Sequence, residues 1–176
     1  MLKKSAFIFL MLVVVLFCTY AEKGKYNITV KASPYSFQYI KYGQGFSSKY
    51  GYSVELGYRH YVWKGHSVGV DLKYQNYDFK ELSDKYYHVI SAAVKAGWTQ
   101  MFGEKWCLDS ELGFGIQGRK VDTAKDLFLY LSLYVGGGYH ITQNIRITAG
   151  FVFEPTFQMD SNDYIIGAML GTYIGL

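Results

Sequence analysis

The stretch Val68–Tyr77, VGVDLKYQNY, alternates without a break. Val68, Val70, Leu72 and Tyr74 share one parity, and Gly69, Asp71, Lys73 and Gln75 share the other. Successive side chains of a strand point to opposite sides of a sheet, so a period of two reads as a strand buried on one face. The pattern leaves open which face is inside. In a soluble barrel or sandwich the valines form the core, and Asp71 and Lys73 meet water. In a membrane barrel the valines meet lipid and the charges face a lumen.

Working outward from that stretch, the same alternation recurs until eight strands account for the chain after its leader. The expected strands run from about Tyr26 to Phe37, Tyr50 to Val62, Val68 to Tyr77, Tyr86 to Met101 and Trp106 to Gln117. LFLYLSLYVGGGYH (127–140), Ile145 to Glu154 and Tyr164 to Leu176 complete the set. Many of these exceed the five or six residues usual in soluble sheets. WKGH (63–66), FGEK (102–105) and ITQN (141–144) read as tight turns. KYGQGFSSK (41–49), DFKELSDK (78–85), GRKVDTAKD (118–126) and QMDSND (158–163) read as longer, charged loops. Turns and loops alternate strictly, so an antiparallel meander gathers the turns at one end and the loops at the other.

The N-terminal MLKKSAFIFLMLVVVLFCTYA reads as a secretory signal peptide over 1–21. Lys3 and Lys4 precede an apolar run to Phe17 and the small-residue site Thr19-Tyr20-Ala21, which places cleavage before Glu22. The run is shorter than the roughly 20 residues of a helical membrane span. An uncleaved anchor and lipid attachment at Cys18 are the alternatives; the region resembles a lipoprotein signal except for the bulky Phe17 before the cysteine. Residues 22–176 form one domain. Without the two leader lysines the formal charge falls from +4 to about +2, which implies no nucleic-acid partner. Cys107 is then the lone cysteine, so no intrachain disulfide forms and the thiol serves as a small filler.

Three features turn the apolar face outward. The opposite face carries about a dozen glycines with Ser and Thr, and few charges, unlike a solvated surface. Those charges nearly balance: Glu55, Asp71, Asp109, Glu111 and Glu154 against Arg59, Lys73, Lys95 and Arg146. Small residues with compensating ions suit a narrow lumen, where these nine form the expected charge network. Next, ten residues at ~3.3 Å tilted by about 40–45° rise roughly 25 Å, the height of an outer-membrane apolar band. Finally, aromatic residues gather at strand ends, with Tyr26, Trp98, Trp106 and Tyr139 near the turns. Phe37, Tyr50, Tyr52, Tyr74, Tyr86, Phe153 and Tyr164 lie near the loops. Such girdles mark membrane interfaces. Pro34 and Pro155 share the apolar parity near the loop end, where a rim or bulge tolerates a missing donor.

The expected fold class is therefore all-β: an eight-stranded antiparallel up-and-down transmembrane β-barrel. With eight strands, alternating turns and loops, and a last strand apolar at every second position, Glu22 to Leu176 resembles small bacterial outer-membrane barrels of the OmpX and OmpA-transmembrane type. The OmpW type is the runner-up. The resemblance implies residence in the bacterial outer membrane as a monomer, with membrane lipid and the outer-membrane assembly machinery as partners. Such chains end in an aromatic residue that the machinery reads, and this one ends in Leu176.

Some eight-stranded barrels act on lipid A, which puts the histidines in question. The deacylase type uses a His-x-Ser motif; here Ser91 follows His88 by three, on the opposite parity. His60, His66 and His140 sit near the turns, and no third ligand joins the first two in a metal set. No cofactor motif is present. Arg119 and Lys120 form a candidate surface site for a lipid phosphate within an otherwise solvated loop. Three functional classes follow. The first is a structural or surface-interaction barrel with a filled lumen, touching extracellular or host molecules in adhesion or immune contact. The second is a small pore or hydrophobic-compound channel, and the third is a lipid A enzyme. Eight strands leave an interior that side chains can fill, which favours the first.

Overall fold

The computed structural model describes residues 26–40, 46–63, 65–79, 86–121, 124–158 and 161–176. The leader, 1–21, lies outside them. Eight strands follow one another: β1 (Tyr26–Ile40), β2 (Phe46–Trp63), β3 (His66–Phe79), β4 (Tyr86–Phe102), β5 (Trp106–Val121), β6 (Ala124–His140), β7 (Ile145–Gln158) and β8 (Ser161–Gly175). Each pairs antiparallel with its neighbour in the chain, and β1 pairs with β8 to close the barrel. Closure removes the free edges that an open sheet would leave in lipid.

Side-chain burial answers the question raised by Val68–Tyr77. Leu72 is 63% exposed, whereas Asp71 and Lys73 are each 3% exposed. The apolar parity faces outward along every strand, through Leu56, Ile90, Phe114, Leu133, Phe151 and Leu170. The polar parity faces a packed interior. Closely spaced aromatic pairs mark both ends of the outer belt. Trp106 meets Tyr139 edge-on at 4.8 Å on the turn side, and Tyr39 stacks on Tyr164 at 5.2 Å on the loop side. Side chains of Tyr50 and Tyr86 lie outside the described ones.

Glycine shapes the first two turns. Gly65 and Gly103 adopt φ of 84° and 71°, a region other residues rarely enter, and they close the chain between β2 and β3 and between β4 and β5. Pro34 lies at a bulge in β1, where the register with both neighbours shifts between residues 32 and 36. The extra residue puts Tyr35 on the outer face beside Pro34, against the alternation of the strand. Pro155 leaves a different mark. The ladder of β6 with β7 runs through Tyr130 and resumes at Leu133, skipping the two positions opposite Glu154 and Pro155. Proline has no N–H to donate.

The expected loops need correction. GRKVDTAKD is mostly strand: Arg119, Lys120 and Val121 pair with Asp126, Lys125 and Ala124, which leaves only 122–123 between β5 and β6. QMDSND likewise continues β7 and β8 up to the pairing of Gln158 with Ser161. The turn-and-loop asymmetry thus survives only at the first two loop-side connections, 41–45 and 80–85. The reason is that the charges here continue the alternation: Arg119 and Asp163 face inward and pair with each other, so a charged residue does not mark the end of a strand.

Candidate functional site

The lumen is where the chain concentrates buried chemistry. Among the described residues six cations, Lys31, Arg59, Lys73, Lys95, Arg119 and Arg146, are buried there. Six acids, Glu55, Asp71, Asp109, Glu111, Glu154 and Asp163, are buried with them. The interior is therefore formally neutral, which a low-dielectric enclosure demands of charges that cannot reach water.

Three levels follow along the barrel. At the centre Lys31, Arg59 and Lys95 interlock with Glu55, Asp71 and Glu111. Arg59 grips Asp71 with both terminal nitrogens and reaches Glu111 at 3.1 Å. Lys95 lies 2.9 Å from Glu55 and 2.5 Å from Asp71. Lys31 lies 2.6 Å from Glu111, which also accepts a hydrogen bond from the Tyr173 hydroxyl at 2.6 Å. Of these contacts, Lys31–Glu111, Arg59–Glu111, Lys95–Glu55 and Tyr173–Glu111 cross the lumen and act as struts between strands that share no ladder.

Toward the loops, Lys73 reaches Glu154 on the far wall at 2.6 Å. Glu154 also accepts hydrogen bonds from Ser132 at 3.0 Å and Gln75 at 3.2 Å. Above it Arg119 pairs with Asp163 and donates to Thr156 at 2.8 Å. Toward the turns, Arg146 approaches Asp109 at 3.3 Å, and Thr99 donates to Asp109 at 2.7 Å.

Glycine makes the room. A Cβ at Gly57 would sit 2.1 Å from an Asp71 carboxylate oxygen, and one at Gly69 would sit 2.8 Å from Cδ of Arg59. Any larger residue at either place would push the central ion pair apart. Gly136 likewise yields its space to the Tyr134 hydroxyl, 2.3 Å from where a Cβ would lie. Tyr134, Val152 and Met169 form a small apolar plug inside the barrel. Lys31 Nζ lies 4.4 Å above the Tyr134 ring, a cation–π contact that joins plug and cluster.

All nine residues of the expected charge network lie in this interior, but their partners differ from a reading by adjacency. Glu55 and Lys73 face each other across the β2–β3 ladder. Lys73 turns to Glu154, and Glu55 is held by Lys95 and by Lys31 at 3.7 Å. Sequence reasoning left Lys31 out of the network despite its inward parity. It also left out Arg119 and Asp163, which it had assigned to loops. The expectation of a lipid-phosphate site at Arg119 is thereby corrected: Arg119 is 4% exposed inside the barrel and paired with Asp163. The side chain of Lys120 is outside the described ones.

Two other arrangements were candidates for chemistry. Glu55, Asp71 and Glu111 bring carboxylate oxygens within 4.8 Å of one another, a spacing that a metal ion could bridge. Three buried cations already neutralise them. His88 faces outward, with Nδ1 2.8 Å from the Tyr74 hydroxyl and 3.2 Å from Asn76 Nδ2, while Ser91 faces the lumen at 3% exposure.

No protein-family model and no curated protein matches the sequence. Solved structures do share its architecture. Neisserial surface protein A matches with a TM-score of 0.63 at 13% identity, over 87% of this chain and 99% of that one. The attachment invasion locus protein Ail of Yersinia pestis, in complex with the heparin analogue sucrose octasulfate, matches with a TM-score of 0.57 at 19% identity. That match covers 88% of this chain and all of Ail. A major outer membrane protein of Thermus thermophilus gives a TM-score of 0.54 at 11% identity, over 88% and 100% of the two chains. By its closed meander, outward apolar face and likeness to these proteins, the chain has the fold of the small eight-stranded outer-membrane β-barrels.

Proposed function

We propose that this chain is a monomeric protein of the bacterial outer membrane whose loop-side rim contacts extracellular or host-surface molecules, and whose lumen conducts nothing. The lumen network carries the reading. Among the described residues twelve buried charges, with the side chains bonded to them, occupy the interior, which argues against a solute path and makes the rim and the lipid belt the working surfaces. The fold serves proteins whose names speak of surface exposure and attachment, Neisserial surface protein A and Ail, though they share with this chain the fold alone. The reading assigns no catalytic step: His88 and Ser91 face opposite sides of the wall.

Single-channel recording of the refolded protein in a planar bilayer tests the closed lumen. The expected trace is flat. Reproducible unitary current steps would move the protein to the pore class.

Orientation has its own test. A cysteine in place of Ser83, in the second loop-side connection, should react with an impermeant maleimide on intact cells. One in place of Glu104, in the second turn, should react only after the outer membrane is opened. Native Cys107 is 5% exposed and adds little background. The reverse pattern would invert the topology.

A further inference from the structure

We propose that the turn-side mouth of the barrel binds an oxyanion, a carboxylate or a phosphate group, on Arg146. A cavity of about 420 Å³ opens there, lined by Arg146 and by Asn27, Tyr61, Gln100, His140 and Asn144 among others. Among the described residues no acid lines it. Its one fixed charge is the guanidinium.

That guanidinium is poorly satisfied for a group only 4% exposed. Its contacts to oxygen are all long, 3.3 Å to Asp109, 3.4 Å to the Tyr61 hydroxyl and 3.5 Å to the Thr99 hydroxyl, and the Cys107 thiol lies beside it. Its Nε has no partner, nor does Nε2 of His140 on the same cavity wall. Arg59 also leaves its Nε unpartnered, but its terminal nitrogens are closely held, both on Asp71 and one on Glu111, which those of Arg146 are not. Buried polar groups are nearly always paired, and a planar guanidinium pairs best with a carboxylate or phosphate that can take two parallel hydrogen bonds. The Tyr173 ring lies 4.1 Å from the Arg146 carbon centre and fixes the plane of the fork. Asn27 and Asn144, which carry amide side chains, also line the opening. The cavity exceeds the size of inorganic phosphate, so it accommodates the end of a larger molecule approaching from the turn side, such as a peptide C-terminus or a phosphate monoester.

The test uses isotope-labelled full-length barrel in lipid nanodiscs and follows the amide resonances of Thr99, Gln100 and Asn144. Inorganic phosphate, N-acetyl-Ala-Ala and N-acetyl-Ala-Ala amide are titrated separately. A saturable shift with phosphate alone assigns the phosphate class; one with the free but not the amidated dipeptide assigns the carboxylate class. Arg146→Gln should weaken the effective probe by about tenfold or more, the loss of a charge-assisted contact, while Lys105→Gln on the exposed second turn keeps the affinity. Should Arg146→Gln not fold, Asn27→Trp fills the cavity from the inward parity of β1 and must weaken binding by a similar factor. Absence of saturation with every probe, or unchanged affinity in the folded Arg146→Gln or Asn27→Trp variant, overturns the proposal.

Discussion

Leu133→Arg is expected to destabilise the barrel in lipid by about 2–4 kcal/mol, while Leu127→Arg should cost only about 0–1 kcal/mol. Both leucines lie on β6 and face outward, at 42% and 65% exposure. They differ in depth. Leu133 sits in the middle of the strand, where an arginine meets hydrocarbon; Leu127 lies near the loop-side end, where the guanidinium reaches the interface. Ser132 between them faces the lumen and donates to Glu154 at 3.0 Å. Urea titration of arginine variants at 127, 129, 131, 133, 135 and 139, refolded in lipid vesicles, measures the profile. A maximum near 131–133 with tolerance at 127 and 139 is the expected result. A flat profile, or refolding to a stable monomer in plain buffer, would mean that these leucines do not meet lipid.

Arg59→Met should cost on the order of 3–5 kcal/mol, because it leaves Asp71 and Glu111 short of a counter-charge inside a dry lumen. Arg59 is fully buried, and the substitution keeps most of its volume while removing all of its donors. Adding Asp71→Asn should recover part of the loss, since the pair is then removed together and the remaining charges balance again. Equilibrium unfolding of the two single variants and the double variant gives the coupling. A cost below about 1 kcal/mol for Arg59→Met would indicate a wet interior. Such a result would also favour conductance in the bilayer recording, so the two measurements check each other.

Strand number, order and the outward turn of the apolar face were legible in the sequence. Alternation such as Val68–Tyr77 is a local property, and a one-residue slip would turn every side chain to the wrong side. The scarcity of charges on the glycine-rich parity marked it as the inside. The upper ends of the strands were not legible. Arg119 and Asp163 stand among other charged residues, and only closure of the barrel shows that they point inward and meet. Tyr35 was similarly hidden, because a bulge changes parity without changing the pattern around it.

Local periodicity thus determined that the chain builds eight strands and, away from the bulge and the loop-side ends, which residues face the lumen, because side-chain direction along a regular strand follows parity. The tertiary structure decided which charge meets which. Lys31 reaches Glu111 eighty residues away, and Lys73 passes over its ladder neighbour Glu55 to reach Glu154. Those pairings depend on the diameter of the closed barrel and the stagger of its strands, which bring distant walls within a side chain's length. They also depend on the empty space left by Gly57 and Gly69 beside Arg59. Distance across a lumen is a property of the closed sheet, and no single strand encodes it.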